Sequence, residues 1–161
     1  MAFTYHLNRD NTEEEIARLI ADSQPYMLQA FTNSTDSTNN SFARRSIANA
    51  NYIMSVLDDG YLVAMSIGRV KDKTLTWDFA IYGKDANGSK AYVYSDSYTQ
   101  AAIEFFRTQD LDEQVSSGLV GSPMENYQTE MHTRYSLTTP TLEQYNVTGQ
   151  ECNYRKAVLD K

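Results

Sequence analysis

The sequence has few of the residue types on which many functional sites depend. It contains one cysteine, Cys152, and two histidines, His6 and His132. A single cysteine excludes an internal disulfide and a metal site built from several thiolates. HExxH, GxSxG and paired-histidine patterns are missing from the sequence, which excludes the usual zinc-protease and serine-hydrolase motifs. We expect no metal cofactor and structural or surface roles for both histidines.

Positive charge and long apolar runs are also scarce. The chain has 14 basic and 21 acidic residues, giving a net charge of -7. Nucleic acids and anionic membranes attract positive surfaces, so binding to either is disfavoured. Apolar runs fall short of the roughly 20 residues that cross a bilayer, and the first residues lack a signal-peptide pattern. The sequence therefore predicts a cytoplasmic protein.

The middle of the chain predicts a sheet. The alternating segments Tyr52–Leu57, Tyr61–Val70 and Thr74–Tyr82 are joined by the short polar turns DDG and KDK. Strands with such short connections pair with each other, so we expect an antiparallel sheet, with Trp77 and Ile81 (and Phe79 between them) on one face.

Helices are expected on either side of this segment. Thr12 and Glu15 form a capping box, and Pro25 fits the first turn of a second, short helix. Thr32–Asn40 predicts a loop, and Ser97–Gln109 is amphipathic. The fold class is α+β, one domain over residues 1–161 with a mostly antiparallel sheet flanked by helices. The residues expected in its core are Ile16, Leu19, Ile20, Val63, Ile103 and Phe106.

Three segments and the order of the elements carry a resemblance to a known family. NTEEEIARLI, VLDDGYLVAMSIG and NYRKAVLDK are similar to the first helix, the second and third strands and the last strand of the GCN5-related N-acetyltransferase superfamily. The resemblance spans nearly the whole chain and implies acetyl-CoA as the cofactor. In that family a loop and helix start after the fourth strand bind the cofactor pyrophosphate through backbone N–H groups. Its pattern is arginine or glutamine, two residues, glycine, one residue, and glycine or alanine.

The segment closest to that pattern is Asp85–Lys90. The resemblance implies Gly88, Ser89 and Lys90 as cofactor contacts. Asp85 stands at the place of arginine or glutamine, where its charge would repel a pyrophosphate. Asn87-Gly88 is also a strong signal for a hairpin turn between two strands. The sequence leaves both interpretations open, and the hairpin predicts weak or no binding of acetyl-CoA.

Three residues are candidates for catalysis. Asp78 lies within a predicted strand, where it is either a general base or, as we favour, a residue on the solvent face. The resemblance implies a tyrosine of the penultimate helix as general acid towards the CoA thiolate, either Tyr127 or Tyr135. Packing is the alternative role for both. The basic pair Arg44 and Arg45 fits an acidic partner, a phosphate or a solvated helix face.

Two functions are compatible with the sequence. The departure of Asp85–Lys90 from the family pattern favours a non-catalytic protein on the acetyltransferase fold that acts through a protein partner. Small size and acidity would suit an accessory or virus-encoded factor. The alternative is an active acetyl-CoA-dependent N-acyltransferase, in which a backbone N–H stabilises the developing oxyanion.

Overall fold

The computed structural model describes residues 2–30, 35–89, 92, 95–121, 123–135, 141–147 and 150–158. In chain order these residues form β1 (Phe3–Leu7), α1 (Glu13–Ala30), α2 (Asp36–Asn49), β2 (Tyr52–Asp58), β3 (Tyr61–Lys71), β4 (Thr74–Tyr82), α3 (Asp96–Arg107), β5 (Glu113–Leu119), α4 (Pro123–Tyr135), β6 (Thr141–Val147) and β7 (Gln150–Val158). The strands form one sheet in the order β1-β2-β3-β4-β5-β7-β6. Neighbouring strands are antiparallel except β4 and β5, which are parallel. The predicted α+β class and mostly antiparallel sheet are confirmed.

Helices cover both faces of the sheet and divide the core in two. Under α1 and α2, Leu19 and Ile20 pack with apolar residues of β2, β3 and β4. Under α3 and α4, Ile103 and Phe106 pack with Val63 of β3 and its neighbours. The core prediction is confirmed for these five residues, each no more than 4% exposed. It is wrong for Ile16, which is only half-buried at the edge of the α1 core.

A β-bulge in β4 changes which of its side chains share a face. Two consecutive residues of β3 pair with Phe79 and Trp77, which leaves Asp78 as an extra residue in β4. Trp77 consequently packs against the core under α3, whereas Phe79 and Ile81 pack against the core under α1. The expectation that these three apolar residues share one face is therefore wrong.

Two helices differ from the expectation. α1 continues through Pro25, so the break that was expected there is wrong. Proline removes the bond to the carbonyl of Ala21, but Ala21 is exposed and water can serve that carbonyl. α2 begins at Asp36, within the segment expected to be a loop, because the Thr35 hydroxyl caps it by accepting a backbone N–H from its first turn. Residues 31–34 lie outside the described residues.

The described helices include none that is long and apolar enough to cross a membrane. Among the described side chains, no group of three or more histidine, cysteine, aspartate or glutamate residues is arranged to hold a metal ion.

Candidate functional site

The parallel strands β4 and β5 diverge after a short paired segment. Their register covers only Thr74–Thr76 and Glu113–Val115, although β4 continues to Tyr82 and β5 to Leu119. Beyond that segment β5 stays paired with β7 and β4 stays paired with β3. The two strands therefore enclose a space that widens towards their carboxyl ends, which we call the β4–β5 gap. Ligands of parallel sheets commonly bind at the carboxyl ends of the strands.

A backbone N–H of β4 points into the β4–β5 gap. Gly83 N donates to the carbonyl oxygen of Val63 in β3 at 2.8 Å, so residue 83 faces β3. The backbone groups of successive residues in an antiparallel pair point to alternate sides, so Ala80 faces away from β3. On that side β5 has already diverged. The N–H of Ala80 is thus placed to donate to a negatively charged oxygen in the gap.

The first turn of α3 lies at the mouth of the gap. Ser95 caps this helix, because its Oγ accepts the N–H of Tyr98 at 3.3 Å. The ring of Tyr98 lies 6.5 Å, centroid to centroid, from that of Tyr127 on α4, and α4 packs on β5. Tyr82 at the end of β4 packs against the same core cluster that contains Tyr98. The start of α3 is therefore held between the end of β4 and the helix that covers β5.

Tyrosine hydroxyls line the α3 side of this region. Tyr5 of β1 donates its hydroxyl to the carbonyl oxygen of Tyr98 at 2.9 Å. Burial, followed by the neighbouring Tyr127 and Tyr82, raises the pKa of Tyr5 far above its ordinary value. Burial is also the largest cause of the raised pKa of Tyr98. Burial therefore disfavours the phenolate form of both Tyr5 and Tyr98, and the Tyr5 hydroxyl acts as a hydrogen-bond donor.

Asp78 lies on the opposite face of the sheet. Val70 of β3 packs against the α3-side core, so its neighbour Arg69 points to the opposite, α1 face of the sheet. Arg69 binds the Asp78 carboxylate on that face. Its Nε donates to Oδ2 at 2.8 Å and its Nη2 to Oδ1 at 2.9 Å. Asp78 is exposed as a residue and its side chain keeps 26% accessibility beside Arg69, so it lies on the outer face as expected, where both solvent and a substrate amine can reach its carboxylate. It is also the bulge residue, two positions before Ala80, so a carboxylate and the N–H of Ala80 belong to the same short stretch of β4.

The structure describes the positions of the other candidate residues in less detail. Tyr127 is half-buried and packs against the α3-side core. Tyr135 is the last residue of α4, but its side chain lies outside the described residues, as do Lys90 and the side chain of His132. Arg44 forms an ion pair with Glu13 of α1.

The segment Asp85–Ser89 forms a turn that uses its own backbone donors. Gly88 has a φ of +80° and donates its N–H to the carbonyl oxygen of Asp85 at 3.0 Å. The Asp85 carboxylate accepts the N–H groups of Asn87 and Ser89, both at 2.9 Å. The turn interpretation is confirmed, and these three N–H groups are already engaged. The strand expected before the turn is β4, which ends at Tyr82. Of the strand expected after it, Tyr92 lies in a short helical turn instead, and residues 91, 93 and 94 lie outside the described residues.

Solved structures of similar shape decide the fold family. One is RimL, a ribosomal L7/L12 alpha-N-protein acetyltransferase in complex with coenzyme A. The alignment covers 98% of this chain and 95% of RimL, with a TM-score of 0.58 and 12% identity. The alignment with the ribosomal-protein-S18-alanine N-acetyltransferase from Escherichia coli covers 98% of this chain and 96% of that protein, with a TM-score of 0.59 and 9% identity. The alignment with Ard1 from Thermoplasma volcanium covers 100% of both chains, with a TM-score of 0.58 and 12% identity. The chain has the GCN5-related N-acetyltransferase fold. No family model and no curated protein matches the sequence.

The residues directly before α3 are not those that the sequence comparison with the acetyltransferase pattern selected. The sequence pointed to Asp85–Lys90 because Gly88 is there, but α3 begins only at Asp96. The six residues before the helix are Lys90–Ser95, with lysine at the arginine or glutamine place and serine at the last, small place. Val93 stands where the pattern has glycine. The missed signal was Ser95, a favoured N-cap residue directly before an amphipathic run.

Alanine in place of Gly88 is expected to lower the free energy of unfolding by about 1 kcal/mol. A Cβ at this position meets no other atom within 4 Å, so the cost arises only from the left-handed backbone conformation. Asn87→Ala keeps the backbone N–H that binds Asp85 and is expected to change stability by less than about 0.5 kcal/mol. Urea unfolding measures both, and equal losses in the two variants would contradict the turn geometry.

Proposed function

We propose that the protein is an acyl-CoA-dependent N-acyltransferase that binds its thioester in the β4–β5 gap. The observation that carries the proposal is the divergence of the two strands after Thr76 and Val115, with the N–H of Ala80 directed between them. The pantetheine arm of coenzyme A carries amide groups in an extended chain, which can bond to strand backbone that lacks a neighbouring strand. RimL, which shares the fold, was solved in complex with coenzyme A, and this supports a CoA ligand.

The residues at the mouth of the gap fit the anionic end of such a ligand in part. The first N–H groups of a helix are not used within it, and those of Asp96 and Ser97 in α3 are available to a diphosphate, with the helix dipole favouring negative charge. Lys90 adds positive charge shortly before the helix. The carboxylate of Asp96 acts against this attraction. We therefore expect binding through the pantetheine arm and acyl group to contribute most of the affinity.

Groups on the two faces of β4 would take different parts in acyl transfer, with the amine and its base on one face and the thiolate of coenzyme A on the other. The amine nitrogen attacks the thioester carbon from the Asp78 side, forming the C–N bond, and the N–H of Ala80 stabilises the oxyanion. Asp78 accepts the proton that the amine loses, directly or through one water, while Arg69 holds the carboxylate in place. The C–S bond then breaks, and Tyr127 on the α3 side donates a proton to the thiolate of coenzyme A.

Release of coenzyme A in the presence of amines tests this proposal. The unmodified protein is incubated with acetyl-CoA and, separately, a polyamine, an amino-acid amide and a peptide with a free amino terminus. We expect thiol release that depends on one amine class, with the acetylated amine detected by mass spectrometry. Thiol release that never exceeds the rate without amine would contradict catalysis for these acceptor classes.

A non-catalytic role through a protein partner is the second candidate. Asp96 favours it, because a carboxylate in the first turn of α3 competes for the same positive helix end as a diphosphate. Val93 in place of glycine favours it too, since a side chain limits the approach of a ligand to the backbone. This function predicts no saturable binding of acetyl-CoA, which separates it from the first candidate.

A further inference from the structure

One buried side chain connects the end of β4 with the start of α3. The connection between these elements covers residues 83–95, which is long for a loop that must place a helix start. Tyr92 lies near its end and is only 2% exposed. Its ring packs against Phe3 and Tyr98, with centroids 6.0 Å and 5.7 Å away. The residue is therefore inserted into the α3-side core rather than carried on the surface.

The hydroxyl of Tyr92 bonds to the end of the sheet. It lies 2.6 Å from the carbonyl oxygen of Gly83 and also within hydrogen-bond distance of the carbonyl oxygen of Val63. The hydroxyl has one hydrogen, so the two carbonyls share it. Burial, followed by the charge of Asp85, raises the pKa of Tyr92, so the hydroxyl stays a donor. Position 83 requires glycine, because a Cβ there would lie 2.3 Å from Leu19 Cδ2.

The main chain of Tyr92 bonds to the start of α3. Its carbonyl oxygen accepts the N–H of Ser95 at 2.9 Å and the Oγ–H of Ser95 at 2.7 Å. The same Oγ accepts the N–H of Tyr98 and so caps the helix. Tyr92 thus holds the sheet end with its side chain and the helix cap with its backbone.

We propose that Tyr92 is a positioning residue that fixes the start of α3 against the end of β4. Resting on the proposed function, it would thereby hold the N–H groups of Asp96 and Ser97 where the diphosphate of an acyl-CoA binds. The geometry assigns this role to the hydroxyl and not to the ring, because only the hydroxyl reaches Gly83 and Val63. Phenylalanine at this position keeps the ring contacts and removes the link.

Hydrogen exchange and acetyl-CoA titration of Tyr92→Phe test the inference. Tyr52→Phe is the matched control, because Tyr52 is also buried and its hydroxyl bonds to Gln109 just beyond the other end of α3. We expect amide exchange across residues 83–98 to rise about tenfold in Tyr92→Phe, since the Gly83 carbonyl loses the hydroxyl donor and the Val63 carbonyl keeps only the N–H of Gly83. Acetyl-CoA affinity should fall about tenfold in the same variant. In Tyr52→Phe we expect neither change.

The possible results separate this inference from the proposed function. Faster exchange in Tyr92→Phe together with no acetyl-CoA binding by the unmodified protein would support the link and refute the acyltransferase. Exchange across residues 83–98 that is the same in Tyr92→Phe and Tyr52→Phe would overturn the inference. If Tyr92→Phe does not fold, Ser95→Ala weakens the other half of the link, because it removes the Oγ bonds to Tyr92 and Tyr98 and leaves only the Ser95 N–H on the Tyr92 carbonyl, and a rise in exchange over the same residues is expected from it.

Discussion

Alanine in place of Phe106 is expected to lower the free energy of unfolding by about 3–5 kcal/mol. Phe106 is 4% exposed, and its ring packs edge-on against Trp77 at 5.8 Å and Phe105 at 5.4 Å between centroids. Truncation leaves a cavity between α3 and β4. The helix cannot readily move to fill it, because the Ser95 cap holds one end and the core holds its inner face.

Chemical denaturation followed by circular dichroism measures this loss. Glu104→Ala, on the exposed side of the same helix, is the control and is expected to change stability by less than about 0.5 kcal/mol. A Phe106→Ala loss as small as that of the control would contradict the placement of α3 on the sheet.

Asparagine in place of Asp78 is expected to lower the rate of acyl transfer about 100-fold, because the amide cannot accept the proton of the amine. The KM for acetyl-CoA should stay nearly constant, since Asp78 faces the side of the sheet opposite α3 and the proposed cofactor. Asparagine retains the shape of the residue and an oxygen acceptor for Arg69. The bulge should therefore persist, and the melting temperature checks this.

Arg69→Gln is the control for Asp78→Asn. It breaks the same ion pair but leaves the carboxylate, so the rate should fall less than about tenfold if the carboxylate is the base. Equal losses of rate in the two variants would show that the ion pair supports structure only, and would remove Asp78 from the mechanism.

The sheet could be predicted from sequence because its middle depends on local signals. Short polar turns force the strands of 52–82 to pair, and periodicity identified the amphipathic α3. The bulge at Asp78 could not be predicted, since the extra residue is defined only by the pairing of β4 with β3. Pro25 gave a wrong helix break because an exposed carbonyl tolerates the missing bond, which depends on tertiary position.

The candidate site was less predictable than the sheet. The β4–β5 gap arises between strands that are separated in sequence by α3, so no local pattern marks it. The turn at Gly88 was predicted correctly, whereas the helix start at Ser95 was not. The Asp85 carboxylate accepts the N–H groups of that turn, so they are not available to a phosphate. A glycine-containing loop after β4 can therefore resemble an anion site in sequence although it does not lie at a helix start.

Calorimetric titration of the unmodified protein with acetyl-CoA tests the central claim, that the β4–β5 gap is an acyl-CoA site, most directly. Adenosine diphosphate is the control ligand, because it carries the diphosphate without the pantetheine arm. We predict one saturable site per chain with a Kd of about 1–100 μM for acetyl-CoA, weaker binding of the control, and a melting temperature that rises with acetyl-CoA concentration. Absence of both binding heat and a melting-temperature shift at about 1 mM acetyl-CoA would contradict the claim and leave the protein-partner function as the remaining candidate.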